Sequence, residues 1–134
     1  MKSVIYLIFL LCSFLNAEES TKLKIQADFL KIDSYLETLN FKNNIIIDSS
    51  NFKIKSQSAI YYKKNNSIEL FGSPARIVSK NVAKKFSGYS DEIIVKGEDV
   101  IILSGEAVLN YDGIEINSKN IEFNTATGEV NSLN

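Results

Sequence analysis

The side chains able to do acid–base chemistry are few, and their spacing suits it poorly. Asp28 with Asp33, or Asp91 with Glu92, come nearest to a carboxylate pair in which one group donates a proton and the other accepts it. The sequence contains no His, so a serine or cysteine nucleophile would lack its usual base. No glycine-rich phosphate loop, dinucleotide fingerprint or metal-spaced ligand cluster occurs. The acids lie in strand-like and turn-like stretches, where a solvated surface charge is the ordinary reading. "NNS" at 65–67 matches a glycosylation sequon and reads more simply as a polar turn. The residues therefore argue against an enzyme and predict no metal and no cofactor.

The elements that would carry these residues are strands. "LKIQA", "NFKIKS", "SIEL", "EAVLNY", "GIEINS" and "NIEF" alternate apolar with polar side chains, which places them on two faces of an extended chain. β-branched and aromatic residues fill the apolar places, as strands favour. Turn-forming separators stand at 63–67 (KKNNS), 72–74 (GSP), 96–99 (KGED), 111–113 (YDG) and 125–128 (TATG). Only 27–39 has a pattern that a helix would also fit. The spacing predicts an all-β chain of roughly ten to twelve short strands.

The first 17 residues stand apart. Lys2 precedes an apolar run of about a dozen residues, short of the ~20 that a spanning helix needs. The run fits a secretory signal peptide cleaved after Ala17. The alternative is an anchor that is kept. Leu11 is too large for a lipidation signal at Cys12, the single cysteine. The expected mature domain is 18–134, which has no cysteine and hence no disulfide or thiolate chemistry. Without Lys2, 14 of the 15 basic residues remain against 16 acidic ones. That near-balance argues against a nucleic acid partner, which needs a concentrated positive face.

A repeat with no catalytic residue in it runs along the domain. Residues 41–68 align with 103–130 without a gap, matching Ile45 with Ala107, Ile47 with Leu109, Phe52 with Ile114, Ile54 with Ile116 and Tyr61 with Phe123. A further copy holds Ile25, Ala27, Leu30 and Ile32. The small residues Ala27, Ser56 and Ser118, with Gly88, are expected where the chain bends from one sheet to a facing one. "LFG" at 70–72 and "LSG" at 103–105 mark a second recurring kink, and Pro74 predicts a bulge or an edge. Stacked copies of this kind bury one continuous interior.

These residues resemble a family. "LKIQADFLKID", "FKNNIIIDSSNFKIKSQSAIYY", "ELFGSPARI", "FSGYSDEIIV" and "VIILSGEAVLNYDGIEINSKNIEFN" follow the order and spacing of the LptA/OstA-like lipopolysaccharide transport proteins. The similarity covers nearly all of 22–130, and "LSGEAVL" followed by "IEINSKNIEF" is its most specific part. Asn43 stands where that family usually has glycine, so a somewhat different turn is expected there.

The resemblance implies a twisted, open, V-shaped β-jelly roll of two facing antiparallel sheets in the periplasm. It also implies lipopolysaccharide as the ligand, and as partners an inner-membrane LptC-like domain and an outer-membrane LptD-like N-terminal domain. Following the alternation, the inward face holds Ile25, Ile45, Ile47, Phe52, Ile54, Tyr61, Ile68, Leu70 and Ile77. It continues with Leu103, Leu109, Ile114, Ile116, Ile121 and Phe123. The family's lipid-contacting positions fall on Leu23, Ile25, Ile77 and Val95. Arg76 is either a rim contact for a phosphate or a plain surface charge. Unpaired edges are expected at about 22–32 and about 120–130, which invites head-to-tail self-association. A stack of about a dozen strands at ~4.8 Å reaches only ~55 Å. Two other readings remain: a membrane-anchored LptC-like partner of the same fold, and a structural β-repeat protein that binds no lipid.

Overall fold

Alternating apolar residues become strands wherever a turn signal lets the chain reverse. The computed structural model describes residues 23–80 and 85–133. Among them are β1 (Lys24–Gln26), β2 (Phe29–Asp33), β3 (Thr38–Asp48), β4 (Phe52–Tyr62) and β5 (Ser67–Ser79). They are followed by β6 (Phe86–Lys96), β7 (Val100–Tyr111), β8 (Ile114–Asn124) and β9 (Val130–Leu133). The all-β expectation holds, and the segment at 27–39 forms β2, a turn and the start of β3. Among the described residues nine strands replace the ten to twelve expected, because "FGSPA" bends β5 without ending it. The expected leader at 1–17, with Cys12, lies outside the described residues.

All pairings are antiparallel, in the order β1-β3-β4-β5-β6-β7-β8-β9, with β2 also on β3. The first and last strands do not meet, so the sheet stays open. β1 and β2 act as one edge strand interrupted at Ala27 and Asp28. The Asp28 amide donates to the Asn43 carbonyl at 3.0 Å, and its carboxylate accepts from the Asn44 amide group at 2.7 Å.

Each long strand bends near its middle, where the register shifts. Residues 23–33, 52–62, 86–96 and 114–124 match position for position, with Ala27, Ser56, Ser90 and Ser118 at the fifth place. Ser56 Oγ donates to the carbonyl of Ser58 at 3.2 Å and Ser90 Oγ to that of Glu92 at 2.7 Å, replacing ladder bonds lost at the bend. The small bend residue in β6 is thus Ser90; Gly88, expected there, lies two residues earlier. The intervening strands bend differently. Asn43 and Asn44 (φ 66° and 53°) in β3 match Gly105 and Glu106 (φ 84° and 47°) in β7. Asn tolerates the left-handed region, so Asn43 keeps the bend type of its counterpart.

The bends fold one sheet into two facing layers. A front layer holds 29–33, 38–42, 58–62, 67–71, 92–96, 100–104, 120–124 and 130–133. A back layer holds 24–26, 45–48, 52–55, 75–79, 86–90, 107–111 and 114–118. Front and back meet where Phe86 packs on Phe123 with ring centroids 4.8 Å apart. Phe86 belongs to β6 and Phe123 to β8, so the layers are staggered. Leu103 of β7 over Gly88 of β6 is displaced in the same direction.

The stagger leaves each end half covered. At the N-terminal end, Leu30 and Ile32 of the front layer are 54% and 59% exposed. At the C-terminal end, Ile114 of the back layer is 64% exposed. Ile114 faces inward by register, beside Tyr111, as expected, but among the described residues no front strand stands opposite it and it is not buried. The C-terminal edge is also corrected. β9 covers 120–123, so the free edges are 130–133 in front and 114–118 behind.

Candidate functional site

The candidate site is the space between the layers, and pairing builds its walls. On the back wall Ile25, Ile47, Ile54, Ile77, Gly88, Leu109 and Ile116 stand side by side from edge to edge. On the front wall Ile32, Leu39, Tyr61, Ile68, Val95, Ile101, Phe123 and Val130 form the matching row nearest the mouth. A second front row, nearer the bends, includes Phe41, Leu70, Ile93, Leu103 and Ile121. One inward side chain per strand per row follows directly from the period of two.

Twelve of the thirteen predicted groove residues belong to this interior or pack against it. Ile45, Ile47, Phe52, Ile54, Ile77, Val95, Leu103, Leu109 and Phe123 are at most 2% exposed. Ile25, Tyr61 and Ile116 are half-buried against the same cluster. Leu23 is exposed at the back rim and lines a cleft of about 200 Å³ with Phe52, Asn66 and Gly97. Ile68, Leu70 and Ile121 are buried as expected. The sequence reading missed Phe86, Ile93 and Ile101. Aligning 86–96 with 52–62 finds the first two, but Gly88 in place of an isoleucine disguises the match.

The layers close on each other through the middle of the molecule. Each fully buried aliphatic side chain there contributes about 1.5–3 kcal/mol relative to exposure. The mouth lies opposite the bends, between the front turns at 34–37, 63–66, 97–99 and 125–128 and the back turns at 49–51 and 112–113. Backbone hydrogen bonds tie neighbouring turns within each rim, as Gly97 to Asn66 at 3.1 Å and Lys80 to Asn51 at 2.7 Å do. Among the described residues no backbone–backbone hydrogen bond joins one rim to the other. Side-chain packing closes the mouth.

Charged groups lie outside this interior. Asp33 accepts from the Leu36 amide at 2.9 Å in its turn, and Asp28 is taken up by Asn44, so the two form no pair. Burial, and then the charge of Glu69, push the Glu92 carboxyl up. Burial also raises the Tyr62 phenol, which donates to Glu69 at 3.2 Å. Lys80 pairs with Asp48 and holds its carboxyl below the usual range, chiefly through their hydrogen bond. Arg76 points out from the back layer over the Tyr89 ring, 5.4 Å from its centroid, rather than standing at the rim. No cluster of three metal-ligating side chains exists among the described residues.

The family model described as "LptA/(LptD N-terminal domain) LPS transport protein" matches residues 24–129. Among solved structures, the chain is similar to LptH from Pseudomonas aeruginosa, described as the LptA-homologous periplasmic component of the lipopolysaccharide transport device. The TM-score is 0.75 at 16% identity, over 83% of this chain and 81% of that one. At that identity the likeness carries the fold. No curated protein matches in sequence.

Proposed function

We propose, from the premise that this chain belongs to the LptA/(LptD N-terminal domain) LPS transport protein family, that it is a non-enzymatic periplasmic carrier of lipopolysaccharide. The acyl chains lie between the two layers, and copies or like-folded partners add at the sheet ends. The observation that carries this reading is the back-wall row, which runs from Ile25 at one edge to Ile116 at the other without a polar side chain.

The need for such a path is physical. Each methylene exposed to water costs about 0.8 kcal/mol, so one twelve-carbon chain carries about 10 kcal/mol. An apolar lining lowers that barrier without covalent chemistry. Because the two layers pack on each other, loading parts them at the mouth, where packing alone holds them. Acyl chains then replace the interlayer contacts that are lost.

The staggered ends support assembly. The uncovered front residues Leu30 and Ile32 of one copy and the uncovered back residue Ile114 of the next, with half-buried Ile116 beside it, make a lap joint. The sheet edges pair alongside it. An inner-membrane LptC-like domain and an outer-membrane LptD-like N-terminal domain fit the same two ends.

The test is a photo-crosslinker at Ile45 or Ile77, which captures lipopolysaccharide, against one at exposed Lys63, which does not. A structural β-repeat protein is the second reading, favoured by the dry packing of Ile47, Ile54 and Ile77. Lack of any adduct at inward positions decides for it.

A further inference from the structure

We infer that Phe86 and Phe123 form a latch that holds the layers together over the C-terminal half of the protein, and that an arriving acyl chain takes the place of the Phe123 ring. This rests on the carrier reading above. The two rings come from opposite rims: Phe86 opens β6 in the back layer, and Phe123 is next to last in β8 in the front layer. They meet edge to face at 4.8 Å. Tyr111 of the adjoining back strand tilts against Phe123 at 5.3 Å. Its phenol crosses the mouth to the turn at Gly128, where a Cβ would collide with it. Two residues along β6, Gly88 leaves room for Leu103 of the front layer. β6 is thus pinned to the facing layer at two successive inward positions.

The N-terminal half lacks this fastening. Phe52 occupies the place equivalent to Phe86, but beside it the rims part into the cleft lined by Leu23, Asn66 and Gly97. In the first copy the equivalent positions, Leu23 and Ile32, are exposed. The mouth therefore opens into a cleft beside Phe52, whereas the ring pair closes it farther along. An edge-to-face aromatic contact biases such a closed–open balance roughly two- to tenfold beyond its area. An acyl chain offers Phe86 the same apolar contact without tying it to the other layer.

The test times exchange. Full-length protein loaded with fluorescently labelled lipopolysaccharide is diluted into an unlabelled excess, for the wild type, Phe86→Leu, Phe123→Leu and Asn43→Val, a variant at an exposed bend outside the groove. Exchange two- to tenfold faster in both leucine variants, with Asn43→Val at the wild-type rate, supports the latch. Loading of all four proteins with equal exchange rates overturns the latch and leaves the carrier reading standing. Wild type that takes up no lipopolysaccharide overturns both. If the leucine variants do not fold, wild type with isotope-labelled phenylalanine rings decides the matter. Saturation with lipopolysaccharide must abolish the ring-current shift between Phe86 and Phe123, and a shift that persists overturns the proposal.

Discussion

Leu103 of the front layer places its Cδ1 only 2.9 Å from where a Cβ on Gly88 of the back layer would stand. The Val108 carbonyl oxygen is 2.8 Å from the same point, so both a side chain and the backbone bar any larger residue. In an open strand position, Gly→Ala would gain about 0.5–1 kcal/mol through the unfolded chain. At Gly88 overpacking reverses the sign, and Gly88→Ala should cost about 1–3 kcal/mol. Urea denaturation checks this; a midpoint equal to or above that of the wild type would show that the layers are not pressed together there.

The left-handed bends of β3 and β7 make opposite predictions for their first residues. Asn43 tolerates φ 66°, so Asn43→Gly should change stability by only a few tenths of a kcal/mol. Asn43→Val should cost about 1–2 kcal/mol, because a β-branched side chain fits that region badly. Gly105→Ala should cost at least as much, since its Cβ would also meet the Asp91 side chain at 2.7 Å. Thermal melts of the three variants give the order, and a harmless valine at 43 would contradict the bend.

Two carboxylates should respond to pH in opposite senses. The Asp48 pKa is depressed chiefly by the hydrogen bond from Lys80, so its contribution is present above the ordinary value near 4 and is lost as pH falls through the folded value. Asp48→Asn should therefore flatten the acid limb of the stability curve. The Glu92 pKa is raised by burial and by Glu69, so its charge disfavours folding above its folded pKa. Glu92→Gln should be more stable than the wild type at pH 7, and the advantage should vanish below the ordinary glutamate value of 4.5. Denaturation midpoints across pH 3–7 test both signs.

How much of this was legible in the sequence depended on how local each feature is. The inward set followed from a period of two and from the ungapped match of 41–68 with 103–130, both carried by the chain itself. The bends of β5 and β6 were harder. "GSP" has turn chemistry while the strand runs on through it, and Gly88 hides the copy that holds Phe86 and Ser90. The exposure of Ile114 could not be read at all, because it depends on the offset between layers, which no stretch of residues encodes. β9 escaped for a related reason: "VNSL" is too short and polar to signal a strand until β8 is there to pair with it.

That same offset makes the end faces testable. Ile32 in front and Ile114 behind are inward by register but uncovered, so a second copy can bury both without disturbing either core. Ile121, earlier counted within the C-terminal edge, is unsuitable for such a test because it is fully buried beneath β9. Ile32→Lys or Ile114→Asp alone should weaken end-to-end association at least tenfold, since a charge left without a partner in an apolar joint is costly. The two variants mixed should associate better than either alone, because one joint then sets lysine near aspartate. Sedimentation velocity over a concentration series reads both effects. Association that both single variants leave unchanged would mean the copies do not meet through these ends, and the lap joint would have to be abandoned.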